Sequence, residues 1–103
     1  MMAADANLQV WLETVPNTRP SVIIPYVRSK ESGNLRYTLN AVKQGLGGSS
    51  RIGQSGGVRI QANQPTALSR FSLNVGKHDQ CRIELTLVEN GNPAGTYHFD
   101  CPR

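Results

Sequence analysis

Cys81 and Cys101 are the residues of this 103-residue chain best equipped for covalent chemistry, and His78 and His98 the ones best equipped for acid/base or metal chemistry. A redox thiol needs its pKa lowered by a Cys-x-x-Cys spacing or a neighbouring base, and neither accompanies these cysteines. Two isolated histidines are too few for a metal cluster. The stretch Gly45-Leu46-Gly47-Gly48-Ser49-Ser50 has the composition of a phosphate cradle but lacks the Gly-Lys-Ser/Thr ending and a following helix. No nucleophile stands beside a base. The chain therefore reads as a binding protein, not an enzyme, with no catalytic residue, no metal and no cofactor.

What remains is charge. Arg36, Arg59, Arg70 and Arg82 occupy polar positions of alternating segments, and Lys43 lies just beyond the segment that carries Arg36. Any one of them could simply solubilise a sheet and discourage edge pairing. As a set they predict one or two basic stripes facing an acidic protein partner. Eleven Lys and Arg against seven Asp and Glu leave a net charge of +4, which favours acidic partners at ordinary salt. Nucleic acid is a poorer fit, because the basic residues are scattered singly instead of clustering with stacking aromatics.

The elements that must position these residues are strands. Leu8, Val10 and Leu12 alternate with Gln9, Trp11 and Glu13, and the β-branched run Val22-Ile23-Ile24 follows a turn framed by Pro16 and Pro20. Pro25 cannot donate to a ladder, so the second strand is expected at an edge or with a bulge near its middle. Leu35, Tyr37, Leu39 and Ala41 give the third strand. Gly45 to Gly57, rich in glycine and serine, reads as a flexible loop interrupted only by Arg51-Ile52. Val58 and Ile60 mark a fourth strand, Phe71, Leu73 and Val75 a fifth, and Cys81, Ile83, Leu85 and Leu87 a sixth. Asn90-Gly91-Asn92-Pro93 is a strong hairpin signal, and Tyr97, Phe99 and Cys101 form the seventh.

Seven short strands without a useful helical period predict an all-β, immunoglobulin-like β-sandwich of two antiparallel sheets, with a small barrel as the competing architecture. The length allows one core, so residues 7–103 are expected to form a single domain behind a disordered segment 1–6. A hydrophobic content of 38% against 17% charged residues excludes wholesale disorder. No apolar run approaches the ~20 residues that span a bilayer. Met1-Met2 ahead of Ala3-Ala4-Asp5-Ala6 reads as an initiator added to a mature sequence whose signal peptide has been removed, with a native cytosolic start as the alternative.

Centring the last hairpin on Gly91 sets Cys81 opposite Cys101 at its open end. The same register faces Ile83 with Phe99, Leu85 with Tyr97, Arg82 with Asp100 and Glu84 with His98, so apolar groups meet and opposite charges meet. Glu84 and His98 fit a surface charge pair better than an acid/base dyad. Facing cysteines on adjacent strands predict a disulfide formed in an oxidising compartment, with two buried free thiols as the alternative. The closed loop of about 20 residues would contribute on the order of 3 kcal/mol in the chain-entropy account.

Val22-Ile23-Ile24-Pro25-Tyr26-Val27 and Ala62-Asn63-Gln64-Pro65-Thr66-Ala67-Leu68-Ser69-Arg70-Phe71-Ser72-Leu73-Asn74-Val75 resemble the CsgC-like curli assembly proteins, their CsgH branch in particular. The resemblance runs from about Leu8 through most of the chain and is most specific in Ala-Asn-Gln-Pro-x-Ala-Leu. It implies a periplasmic sandwich that holds the curli major subunit, an acidic or largely disordered amyloid precursor, and keeps it from nucleating before export. Contact would be transient and electrostatic, without ATP, by a monomer that does not insert into membranes. Arg36, Lys43, Arg59, Arg70 and Arg82 are the candidate client-binding residues, of which only Arg70 lies in the family-like stretch. Some members carry a Cys-x-Cys pair after the second strand. Ser29-Lys30-Glu31-Ser32-Gly33 stands there in this chain, so any redox role of that motif does not transfer. Two alternatives remain: a structural or adhesive module that associates through a strand edge, and a thiol-disulfide oxidoreductase of the curli system using Cys81 and Cys101.

Overall fold

The computed structural model describes residues 8–102. The segment 1–6, expected to be disordered, lies outside the described residues. Alternating apolar residues place the strands in two antiparallel sheets. Sheet A joins β1 (Leu8–Thr14), β2 (Ser21–Ser29), β5 (Thr66–Ala67) and β6 (Phe71–Leu73), with β2 between β1 on one side and β5 and β6 on the other. Sheet B has the order β4-β3-β7-β8, from β3 (Gly33–Gly45), β4 (Gly48–Ile60), β7 (Gln80–Glu89) and β8 (Asn92–Asp100). Eight strands are thus described where the sequence suggests seven. The extra one, β5, is too short for its alternation to register.

The inward residues of the two sheets form one cluster, in which Ile23, Val27, Leu39, Ile83, Leu85 and Leu87 are fully buried. Burying each of these large aliphatic side chains contributes about 1.5–3 kcal/mol. Outward positions of β3 and β7 are mostly polar, so a slip of one residue in the β3–β7 ladder would drive polar groups into the core.

Pro25 is neither on an edge strand nor on a bulged one. β2 is central, and the break lies in its neighbour: β6 pairs with Ser21 to Ile23, β5 with Tyr26 and Val27, and the chain between them swings out. The Leu68 amide donates to the Pro25 carbonyl at 2.9 Å, so the proline's missing N–H faces this gap and leaves the β1 ladder whole.

The Gly/Ser-rich stretch is not a loop. Residues 48–60 pair with β3 at thirteen consecutive positions through a two-residue turn at Leu46-Gly47, where Gly48 takes a φ of 112°. Composition suggests a linker because glycine has no side chain to pack, but β3 supplies both the ladder and the cover. The Tyr37 ring lies across Gly56, where an added Cβ would stand 2.8 Å from its hydroxyl. Its Oη donates across the sandwich to the Leu68 carbonyl at 2.7 Å.

Asn90 and Gly91 form the β7–β8 turn with φ of 50° and 84°, the paired positive values that a two-residue hairpin prefers. Leu87 faces Gly95 while Val88 faces Pro93, a bulge that leaves Ala94 as the extra residue. That residue restores beyond it the register centred on Gly91, and all four pairings from Arg82–Asp100 to Leu85–Tyr97 are present.

Candidate functional site

The outer face of sheet B presents the outward residues of its strands in rows. Across β4, β3, β7 and β8 one row reads Arg51, Val42, Arg82, Asp100, and the next Gly53, Asn40, Glu84, His98. Then come Ser55, Thr38, Thr86 and Thr96, with the Thr86 and Thr96 hydroxyls 3.3 Å apart. Gly57, Arg36 and Val88 follow, and finally Arg59 beside Asn34, whose Oδ1 accepts from the guanidinium at 3.3 Å.

Four arginines therefore share this face in two groups. Arg36 and Arg59 are diagonal neighbours, a separation of roughly 7–8 Å. Arg51 and Arg82 flank Val42 two strand spacings apart, about 10 Å. The second group borders a broad shallow depression whose lining includes Asn40, Val42, Arg51, Arg82, His98 and Asp100. The outward positions of β3 and β4 carry three arginines and no carboxylate, whereas Glu84 and Asp100 stand on β7 and β8. His98 Nε2 meets Glu84 Oε2 at 3.0 Å with both side chains about half exposed, the surface pair expected from the register.

Three of the five sequence-selected basic residues, Arg36, Arg59 and Arg82, lie on this face. Lys43 does not: it shares the inward phase of Leu39 and Ala41, and its Nζ donates to the Asn74 carbonyl at 2.6 Å at the end of the sandwich. Being one residue past Val42, it falls in the opposite phase from Arg36. Arg70 is exposed on the other sheet's side, between β5 and β6. The five residues thus do not form one surface. Arg51 escapes the sequence reading because its segment looks like a loop. Stepping back by twos from Ile60 through Val58 to Ile52 would have placed Arg51 in the outward phase of Arg59.

Cys81 and Cys101 form a disulfide with Cα atoms 5.4 Å apart, and the Cys101 amide donates to the Cys81 carbonyl at 3.2 Å. Cys101 is buried and Cys81 packs against the core, so the bond clamps the open end of the last hairpin. A second clasp closes the opposite end of the sandwich. Buried Ser29 accepts from the Glu31 amide at 3.1 Å and donates toward Glu89 at 3.4 Å, while its carbonyl takes the Asn63 amide at 2.6 Å. Ser32 Oγ accepts from the Ala62 amide at 3.0 Å. Asn63 adopts a φ of 63° there, so the Ala-Asn-Gln-Pro stretch is the turn that carries the chain from sheet B back to sheet A. Two serine hydroxyls, those of Ser29 and Ser32, thus hold the segment that follows β2. Among the described residues no group of three or more His, Cys, Asp or Glu could hold a metal ion.

An all-β pair of antiparallel sheets with a disulfide-clamped hairpin and a basic outer face is the class of protein these features define. The chain belongs to the Tafi-CsgC family, the thin aggregative fimbriae synthesis proteins, which it matches over residues 1–95. Among curated relatives, the curli assembly protein CsgC of Salmonella typhimurium is 31% identical over 89 residues, covering 86% of this chain and 82% of the relative. CsgC of Escherichia coli K12 is 29% identical over 89 residues, covering 86% and 81%. Among solved structures, E. coli curli protein CsgC superposes with a TM-score of 0.76 at 26% identity, over 89% of this chain and 97% of that one. The solution structure of R. palustris CsgH has a TM-score of 0.71 at 19% identity, over 90% and 91%, a likeness of fold. The chain is a CsgC-like protein with a role in curli assembly. No helix among the described residues is long and apolar enough to cross a membrane.

Proposed function

We propose that this protein is a periplasmic holding factor that keeps a curli subunit from nucleating amyloid, by transient electrostatic contact between the outer face of sheet B and acidic segments of the unfolded subunit. The observation that carries this reading is the four-arginine face, whose β3 and β4 half bears no carboxylate. Such a field raises the encounter rate with an acidic chain and disfavours the ordered stacking of a cross-β nucleus. Arg36, Arg51, Arg59 and Arg82 supply it. Lys43 and Arg70 contribute less, because they lie off the face.

The test is thioflavin-monitored fibrillation of a curli major subunit with this protein well below equimolar ratio, at low and high salt. A lag lengthened at low salt and less so at high salt is expected. Reversing Arg36, Arg51 and Arg82 to Glu together should remove most of the lag extension, and Arg70→Glu should leave most of it. Equal lag times with wild type and the triple variant would sink the assignment.

A further inference from the structure

The two edges of sheet B are built differently. β8 carries Pro93, the bulge at Ala94 and a φ of 111° at Gly95, all devices that discourage an added strand. β4 pairs with β3 without a register shift, contains no proline or lysine, and among the described residues has no strand on its other side.

The Gly45–Gly48 pair closes a two-residue turn, and such closing pairs exchange N–H···O=C bonds, after which bonded and non-bonded pairs alternate. The Asn90 to Asn34 and Cys101 to Cys81 backbone bonds carry the same alternation across β3, β7 and β8. Even-numbered residues of β4 therefore bond β3. The odd-numbered residues from Arg51 to Arg59 aim their N–H and C=O groups at the free edge.

Those odd-numbered residues are also the outward ones. Arg51 and Arg59 stand eight residues apart, about 27 Å along the strand, with only Gly53, Ser55 and Gly57 between them on that face. On the other face Ile52, Gln54 and Val58 are half-buried, so inward side chains of an added strand would continue the core.

We propose that the free edge of β4 takes up an extended segment of the client as an added strand, its inward side chains apolar and two outward carboxylates eight residues apart facing Arg51 and Arg59. Charge decides the occupant. In the antiparallel registers of greatest overlap, a second copy would set Arg51 of one chain opposite or diagonal to Arg59 of the other, and like charges there destabilise pairing. An acidic alternating segment meets the same two arginines favourably. This deepens the holding role above and rests on it for the client's identity.

The probe is a synthetic 13-residue peptide of alternating Val and Thr with Asp at two same-face positions eight residues apart, added to the full chain. Its binding should slow amide exchange at Gly53, Ser55 and Gly57. Ser55→Pro removes an outward donor without cutting the β3 ladder. It should weaken peptide binding about tenfold or more and shorten the curli-subunit lag. The double variant R51E/R59E should lose the Asp peptide and bind its Lys counterpart, a charge swap that does not depend on how the proline variant folds. Full-strength peptide binding by Ser55→Pro, or failure of the swap, overturns the proposal. A wild-type protein that binds the peptide at β4 yet leaves fibrillation unchanged refutes the holding role and leaves the edge site standing. Inhibition fully retained in a folded Ser55→Pro refutes the edge site and leaves the holding role.

Discussion

At the scale of single residues, Tyr37 and Gly56 act as one unit. The ring can cross the sandwich to the Leu68 carbonyl only because position 56 has no Cβ. Tyr37→Phe should cost about 1 kcal/mol by leaving that carbonyl without its donor. Gly56→Ala should cost about 1–3 kcal/mol by pushing the ring aside. Because both act on the same bond, the double variant should fall short of the sum, which urea unfolding of the four proteins would reveal. Little of this could be read from the sequence. Tyr37 is legible as an inward residue by its alternation with Arg36 and Thr38, but nothing in its neighbours names the glycine opposite. The Glu84–His98 pair was legible, because both residues sit in one hairpin whose turn fixes what faces what.

At the scale of elements, the β7–β8 hairpin was readable because Asn90-Gly91 marks its turn and large apolar residues mark every second position. The register it implies delivered the Cys81–Cys101 disulfide with no further information. Replacing both cysteines with serine should lower stability by about 2–4 kcal/mol, since the bond closes a 20-residue separation, measured as a shift of the urea midpoint. Lag extension below the unfolding temperature should be largely retained, because both cysteines stand in the inward phase of their strands while the arginines stand in the outward one. Most of β4, up to the Val58 and Ile60 alternation that marks its end, was illegible for the opposite reason. Periodicity is written in side chains, and the outward run Gly53, Ser55, Gly57 with inward Gly56 writes almost nothing. Missing that part of β4 also hid Arg51, one of the four arginines of the candidate site. Pro25 signalled an irregularity correctly but not whose it was, since a missing N–H only says that one neighbour is absent there.

At the scale of the whole molecule, charge placement on β4 bears on whether the protein stays apart from its own copies. A long regular edge is a template for self-association, and this one carries neither proline nor bulge to prevent it. Arg51 and Arg59 take that role. About a two-fold axis through Ser55, each would face the other's counterpart in the second chain, so pairing meets two like-charge contacts. Arg51→Glu inverts both at once, because each introduced carboxylate then faces an Arg59. The variant should sediment as a concentration-dependent dimer at about 0.5 mM protein while the wild type remains monomeric. Adding Ser55→Pro to Arg51→Glu should return it to monomer by removing donors at the centre of the shared edge. High salt should loosen the dimer, since cross-strand ion pairs at an exposed edge lie within the reach of screening. A wild type that dimerises as readily as Arg51→Glu would mean that charge does not guard this edge.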